Sequence, residues 1–219
     1  MQKFQDIFPE KKSNTMDTQP ACLTNGTFDP SQGVFVAQDH RPVMLRDVNL
    51  HFLSPFLRAL LVIDGTVTKF LEAWAMEAIV ITRLNQVTYD LDEDHRWLET
   101  CAGDRIIKRQ VMLVGRDTGR LYTFAESFIV SDRLSAPMQE GLDQDPGGLG
   151  KILLDSEMET RRQGLWYGQE QFENLPEPVA ALWDGDFLTR TYRVIAGAKP
   201  LMLITERFPI PAGHIAAVS

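Results

Sequence analysis

The sequence is poor in the residues from which many functional sites are built. Its 219 residues include only two cysteines, Cys22 and Cys101. Two cysteines provide no disulfide framework and suit a reducing compartment, so we expect a cytoplasmic protein. Histidine is equally scarce, and the four residues are scattered without the spacing of metal ligands: His40, His51, His95 and His214. We therefore expect no bound metal.

Long apolar runs and excess positive charge are missing as well. No segment reaches the roughly 18 apolar residues that a membrane-spanning helix needs, and the N-terminus lacks the apolar run of a signal peptide. The formal net charge is -8, and no basic run offsets it. We expect neither a nucleic-acid partner nor stable membrane insertion. An anionic ligand would have to be held by local positive charge.

Motifs for phosphate binding and covalent catalysis are not found. The glycine-rich stretch GGLGK at residues 147–151 lacks the spacing and the hydroxyl residue of a phosphate loop. No serine or cysteine lies in the sequence context of an activated nucleophile. The glycine-rich turn would still expose backbone N–H groups, which can bind a carboxylate.

The chain divides into two parts by pattern. Residues 1–45 are polar, rich in turn-forming residues and weakly periodic, which predicts an irregular or mobile arm. Residues 46–219 are predicted to form one domain. Helices are expected from Pro55, from Val67, over residues 149–154 and near Pro176.

Six segments show the alternation or β-branched content of strands, and four of them pair across turns as two hairpins. The six segments are 78–84, 105–115, 121–130, 158–168, 187–195 and 201–208. Helices precede and interrupt the hairpins instead of alternating with each strand. This order predicts an α+β fold with a single, mostly antiparallel sheet flanked by helices.

A glutamate in the last predicted strand is out of place. In LMLITERFP, Glu206 shares its face with Met202, Ile204 and Phe208, and burying a carboxylate among apolar side chains is costly without a partner. In RIIKRQVMLVG, Arg109 likewise shares the face of Val111. Two strands therefore each direct one charge inward.

Two interpretations of these charges remain open. Arg109 and Glu206 could pair with each other inside the sheet, or both could face a ligand. A buried ion pair adds little stability compared with apolar residues at the same positions. Stability alone therefore explains the two charges poorly, which favours the interpretation that they face a ligand. A third charge, Glu126, is expected to face solvent, and the late arginines 161, 162, 190 and 193 are expected to be mostly solvated.

Taken in order, four segments resemble the chorismate pyruvate-lyase family, also called 4-hydroxybenzoate synthase, and in particular its branch in photosynthetic bacteria and actinobacteria. The segments are LRALLVIDGTVTKFLEAW, KRQVMLVGRDTG, GLGKILL, and RTYRVI with KPLMLITERFP. The resemblance covers about residues 54–209. It implies an enzyme, a carbon-oxygen lyase that needs no cofactor and converts chorismate to pyruvate and 4-hydroxybenzoate, for a quinone or another phenolic product.

The resemblance also implies roles for individual residues. The strand arginine would grip the ring carboxylate, and the terminal glutamate would meet the ring hydroxyl, either as a hydrogen-bonding group or in proton exchange. These residues are Arg109 and Glu206 here. Backbone N–H groups near the start of the second helix and in the glycine-rich turn would assist, which are those of Val67 and Leu149.

One departure from the family concerns the second carboxylate of chorismate. Members of the ubiquinone branch tend to carry an arginine near the position of Glu126, where the charge here is reversed. Arg162, Arg190 or Arg193 could replace it.

A binding module is the alternative from another class, because effector-sensing domains of some transcription regulators have a similar fold. Such regulators carry a DNA-binding helix pair in front, and residues 1–45 have too little helical periodicity and basic charge to supply one.

Overall fold

One six-stranded antiparallel sheet organises the computed structural model, which describes residues 28–144, 149, 158–172 and 174–211. Its strands are β1 (Ile79–Asp90), β2 (Arg105–Gly115), β3 (Leu121–Val130), β4 (Thr160–Glu170), β5 (Phe187–Ala196) and β6 (Lys199–Pro209). Their order in the sheet is β1-β2-β3-β6-β5-β4. Two three-stranded meanders therefore meet where β3 pairs with β6, and the predicted α+β fold with an antiparallel sheet is confirmed.

The helices of the described residues are α1 (Pro55–Val62), α2 (Val67–Ala75), α3 (Ala136–Gln144) and α4 (Glu177–Ala180). The Ser54 hydroxyl accepts a hydrogen bond from the Leu57 N–H at 3.3 Å, and Pro55 occupies the first turn, as the sequence predicts. The helix predicted over residues 149–154 lies outside the described residues, apart from Leu149. No helix in the described part of the chain is long and apolar enough to span a membrane.

The two faces of the sheet differ. Helices α1 and α2 pack on one face, where their buried leucines meet apolar side chains of β2, β5 and β6: Leu57, Leu60, Leu61, Leu71, Leu113, Leu188 and Phe208. The opposite face holds a buried salt bridge between Arg207 and Glu170 at 2.8 Å. The face under α1 and α2 is the one that holds the candidate site.

The segment before α1 lies along the outer strand β4. Phe35 bridges to Gly164, and Arg46 bridges to Gln169. A Cβ atom at Gly164 would come within 2.7 Å of the Val34 carbonyl oxygen, so this close approach requires glycine. The segment thus covers an edge of the sheet that would otherwise expose unpaired backbone groups.

Candidate active site

A single cavity brings together the four residues to which the sequence and the family resemblance gave a ligand-binding role. Arg109 of β2, Glu206 of β6, Val67 at the start of α2 and Leu149 all line it. The two charged residues are 1% and 7% exposed, respectively. Apolar side chains form most of the remaining wall, among them Ile81, Val111, Leu113, Val194 and Ile204. The cavity therefore combines an apolar wall with two buried charged groups on different strands.

Strand alternation explains why these charges face inward. Arg109 lines the cavity together with Val111 and Leu113, its neighbours at period two along β2. Lys108 points to the other face of the sheet, where it forms a salt bridge with Glu126 at 3.0 Å. Because Glu126 lies on that opposite face, it does not line the cavity.

The salt-bridge partner of Glu206 is Arg190, directly opposite on β5. The Nε atom of Arg190 donates to Oε2 of Glu206 at 2.8 Å, and both side chains are at most 10% exposed. Arg190 also donates through Nη1 to the carbonyl oxygens of Leu61 and Ile63, at 3.2 and 2.9 Å. The carboxylate is thus connected through one arginine to the end of α1.

A tyrosine completes the environment of this carboxylate. The Tyr192 hydroxyl donates to Oε1 of Glu206 at 3.2 Å and lies on the cavity. Burial raises the pKa of the Tyr192 hydroxyl, and the nearby charge of Glu206 raises it further, while the charges of Arg190 and Arg162 act in the opposite direction. Tyr192 therefore remains a hydrogen-bond donor at neutral pH.

The start of α2 lines the same cavity. Gly65, Thr66, Val67 and Thr68 all line it, and the Thr66 side chain makes no capping hydrogen bond. The first N–H groups of a helix have no partner within the helix, and the helix dipole favours negative charge there. This end of the cavity is therefore suited to an anionic or electron-rich group.

The expectation that the late arginines are mostly solvated is wrong. Only Arg161 is exposed, while Arg190 is buried, and Arg162 and Arg193 are partly buried. Arg193 donates to Gln163 and Glu99, at 2.8 and 2.9 Å. Cross-strand partners satisfy side chains that the composition alone suggested would face water.

The sequence analysis did not single out Tyr192, and it considered Arg190 only as a contact for a second carboxylate and not as the partner of Glu206. Alternation along FLTRTYRVI places both on the face of Val194, so the pattern contained a signal. Their pairing with Glu206 depends on the register between β5 and β6.

Groups of carboxylate, cysteine and histidine side chains that could hold a metal do not occur within the part of the chain that the structure describes. The polar side chains that line the cavity include those of Arg109, Thr123, Arg162, Tyr192 and Glu206.

Comparison with known families identifies the relatives of this chain. The family model described as "Chorismate pyruvate-lyase Rv2949c-like" matches residues 61–215, a span that contains Val67, Arg109, Leu149 and Glu206. The chain belongs to this family. The resemblance noted from the sequence motifs is thereby confirmed.

Curated relatives of this chorismate pyruvate-lyase family member are mycobacterial. A protein named chorismate pyruvate-lyase from Mycobacterium leprae is 34% identical over 158 residues, covering 69% of this chain and 73% of the relative. One of the same name from Mycobacterium tuberculosis is 28% identical over 176 residues, covering 75% of this chain and 84% of the relative.

Among solved structures, the effector domain of PhnF from Mycobacterium smegmatis superimposes with a TM-score of 0.50 and 12% identity. The match covers 66% of this chain and 88% of that domain. At such low identity, the likeness concerns the fold alone.

Proposed function

We propose that this protein is a chorismate pyruvate-lyase, which eliminates pyruvate from chorismate to leave 4-hydroxybenzoate. The observation that carries the proposal is the placement of Arg109 and Glu206 in one partly enclosed, mostly apolar cavity. Such a cavity suits a flat ring with an acid at one end and a hydroxyl at the other. Family membership supports the same reaction.

Arg109 is proposed to bind the ring carboxylate. A guanidinium is planar, is always charged and can donate two parallel hydrogen bonds to a carboxylate. Because Arg109 extends from a central part of the sheet and is almost fully buried, its orientation is set before the substrate enters. Such prior orientation is worth a large factor in rate.

Glu206 is proposed to meet the C4 hydroxyl of the ring and to take up the C4 proton. Its salt bridge with Arg190 and its hydrogen bond from Tyr192 occupy one lone pair on each oxygen. A carboxylate has about four such positions, so Glu206 retains room for a substrate hydroxyl. The salt bridge and the hydrogen bond also fix the orientation of the group, which a general base requires.

The elimination balances without an added reagent. The C3–O bond to the enolpyruvyl group breaks, the C4 proton leaves, and the electrons of the C4–H bond form the last double bond of the aromatic ring. The proton returns from Glu206 to the methylene carbon of the departing enolpyruvate, which becomes pyruvate. Aromatisation drives the reaction, so no electron sink is needed.

Backbone N–H groups are proposed to support the bound ring at both ends of the cavity. Val67 begins α2, where the N–H lacks a helical acceptor, and Leu149, which follows Gly147-Gly148 in the sequence, lines the cavity. We keep as predictions that both donate to the ligand and that the protein is cytoplasmic.

The test is to incubate purified protein with chorismate and to quantify both products by mass spectrometry against the spontaneous reaction. Equimolar 4-hydroxybenzoate and pyruvate, formed at a rate proportional to protein concentration, is the expected result. No product above background, together with a thermal shift on addition of 4-hydroxybenzoate, would instead indicate a binding domain and overturn the lyase.

A further inference from the structure

Chorismate carries a second carboxylate, on its enolpyruvyl group, which the groups assigned so far do not bind. Loss of pyruvate removes this carboxylate, so its binding group distinguishes substrate from product. The structure offers candidates in β4 and β5, where four arginines lie on adjacent strands: Arg161, Arg162, Arg190 and Arg193.

Three of these arginines are excluded by their positions. Arg190 is committed to Glu206 and to two backbone carbonyls. Arg193 belongs to the opposite face, where it contacts Gln163 and Glu99. Arg161 is exposed and does not line the cavity.

Arg162 is the remaining candidate, and its location is suited to binding the second carboxylate. It lies on β4 opposite Val194, a residue of the cavity wall, and its own side chain lines the cavity that holds Arg109 and Glu206. It also lines a neighbouring cavity, which is bordered by residues 33–36 and 61–64. Arg162 therefore lies at the junction between the two spaces.

The guanidinium of Arg162 has hydrogen-bonding capacity to spare. An ion pair joins its Nη1 to Oδ1 of Asp64 at 3.5 Å, and the Asp64 side chain is 76% exposed. Exposed ion pairs of this kind contribute little. The Nε atom is buried and has no hydrogen-bond partner among the described residues. A carboxylate arriving from the cavity would satisfy it.

The geometry of the substrate points to the same residue. In chorismate the enolpyruvyl ether on C3 is next to the C4 hydroxyl, so a hydroxyl at Glu206 brings the enolpyruvyl group near the residues around that carboxylate, which include Tyr192. Arg162 is close enough to Tyr192 to influence its ionisation electrostatically. The carboxylate and Arg162 would then meet near that tyrosine.

We propose that Arg162 binds the enolpyruvyl carboxylate and makes the site selective for the dicarboxylate substrate over its monocarboxylate product. This inference rests on the proposed lyase function. Two arginines lining the cavity, Arg109 and Arg162, would match the two carboxylates of chorismate. Departure of pyruvate would release the contact to Arg162 and leave the one carboxylate of 4-hydroxybenzoate held by Arg109.

The test compares Arg162→Met with Arg193→Met, a matched control on the opposite face of the sheet. Loss of one charge-assisted pair is expected to lower kcat/KM for chorismate by about 10- to 100-fold in Arg162→Met. Its Kd for 4-hydroxybenzoate, measured by calorimetry, should stay within about twofold of wild type. Arg162→Lys should recover part of the loss, because it restores the charge without the planar fork.

Unchanged kcat/KM in a folded Arg162→Met protein would contradict the inference, as would an equal loss of 4-hydroxybenzoate binding. If Arg162→Met does not fold, Arg162→Lys and Arg162→Gln provide the same comparison. A wild-type protein that makes no product would refute the lyase function. The contact between Arg162 and the second carboxylate would then be tested by binding alone. In that case, weaker chorismate binding by Arg162→Met with unchanged 4-hydroxybenzoate binding would still support a second-carboxylate site, and equal binding of chorismate would refute it.

Discussion

Arg190 and Glu206 lie directly opposite each other on β5 and β6, and their side chains form a buried salt bridge of 2.8 Å on the cavity face. In the proposed mechanism, Arg190 and Arg109 therefore have different roles. Arg190 compensates the charge of the glutamate and fixes its orientation, while Arg109 approaches the cavity from β2. In this proposal Glu206 interacts with the ring hydroxyl, and Arg109 interacts with the ring carboxylate.

Glu206→Gln should reduce turnover more than it weakens product binding. The amide oxygen can still accept a hydrogen bond from the ring hydroxyl, but it cannot take up the C4 proton. We expect kcat to fall by about 100-fold or more, within the range typical of a lost general base. Steady-state kinetics and calorimetry with 4-hydroxybenzoate provide the two numbers.

The same substitution should also destabilise the fold, because Arg190 loses its counter-ion while remaining buried. We expect the free energy of unfolding to fall by about 3 kcal/mol or less, since the amide retains one hydrogen bond. Urea unfolding measures this loss.

For the kinetic prediction, equal losses in kcat and in product affinity in Glu206→Gln would argue against proton transfer and for a positioning role.

Arg109→Met should abolish most of the activity while leaving the fold intact. Methionine has a similar length and suits the apolar wall, and apolar replacements of buried charges are often tolerated. Without the guanidinium the ring carboxylate loses its orientation, so we expect kcat/KM to fall by about 100-fold or more. Circular dichroism and thermal unfolding establish that the variant is folded.

Lys108→Met is the matched control for Arg109→Met, because Lys108 precedes Arg109 in β2 and pairs with Glu126 on the opposite face. Its kcat/KM should stay within a few-fold of wild type. A folded Arg109→Met protein with normal turnover would show that Arg109 does not contribute to the reaction.

Val67→Pro tests the proposed backbone donor at the start of α2. Val67 is the first helical residue, where proline is tolerated, and Thr66 has the extended conformation that precedes proline readily. The substitution therefore removes one N–H without an expected break in the helix. Val67→Ala controls for the lost side chain.

We expect Val67→Pro to bind 4-hydroxybenzoate about tenfold more weakly than Val67→Ala, which corresponds to one hydrogen bond. Isothermal calorimetry on both variants makes the comparison. Identical dissociation constants would show that the Val67 N–H does not contact the ligand.

Tyr192 predicts a distinctive dependence of stability on alkaline pH. Burial raises the pKa of this hydroxyl above the ordinary value of 10.0, so the unfolded chain releases the proton first as the pH rises. The stabilising contribution is complete below that ordinary value and is lost as the pH rises towards the pKa in the folded protein. The wild-type protein should lose up to about 1.4 kcal/mol per pH unit from this group.

Tyr192→Phe should lack that contribution, so its free energy of unfolding should fall less steeply above about pH 10. Urea titrations of both proteins on either side of this pH give the difference, in which the titrations of other residues cancel. Parallel slopes would place the Tyr192 hydroxyl outside a buried environment.

The inward charges could be predicted from the sequence because strand alternation is a local property. Arg109 and Glu206 each share a period-two pattern with apolar neighbours, and both line the cavity. The helix start at Pro55 was equally local, since a capping serine followed by proline predicts it without knowledge of the fold.

The pairing of Arg190 with Glu206 could not be predicted in this way, because it depends on an irregularity in the hairpin. Continued from the turn at residues 196–199, a regular register would place Arg190 opposite Thr205, and Glu206 would then point to the other face. A register shift beside Pro200 moves Arg190 opposite Glu206. One extra residue in β6 thus determines the partner of the glutamate.

Arg162 illustrates a second limit. The sequence around Arg162 does not distinguish it from its exposed neighbour Arg161. Only the folded sheet shows that Arg162 borders two cavities. Sequence alone left three arginines as candidates for the second carboxylate.

The most direct test of the central claim is a single-turnover experiment with protein in excess over chorismate. This design measures the chemical step even if the cavity retains its product. Acid quenching and mass spectrometry should show one 4-hydroxybenzoate and one pyruvate per chorismate with wild-type protein, and only the spontaneous rate with Arg109→Met. Unconverted chorismate with the wild-type protein, or equal conversion by both proteins, would contradict the proposal that this cavity is the catalytic site.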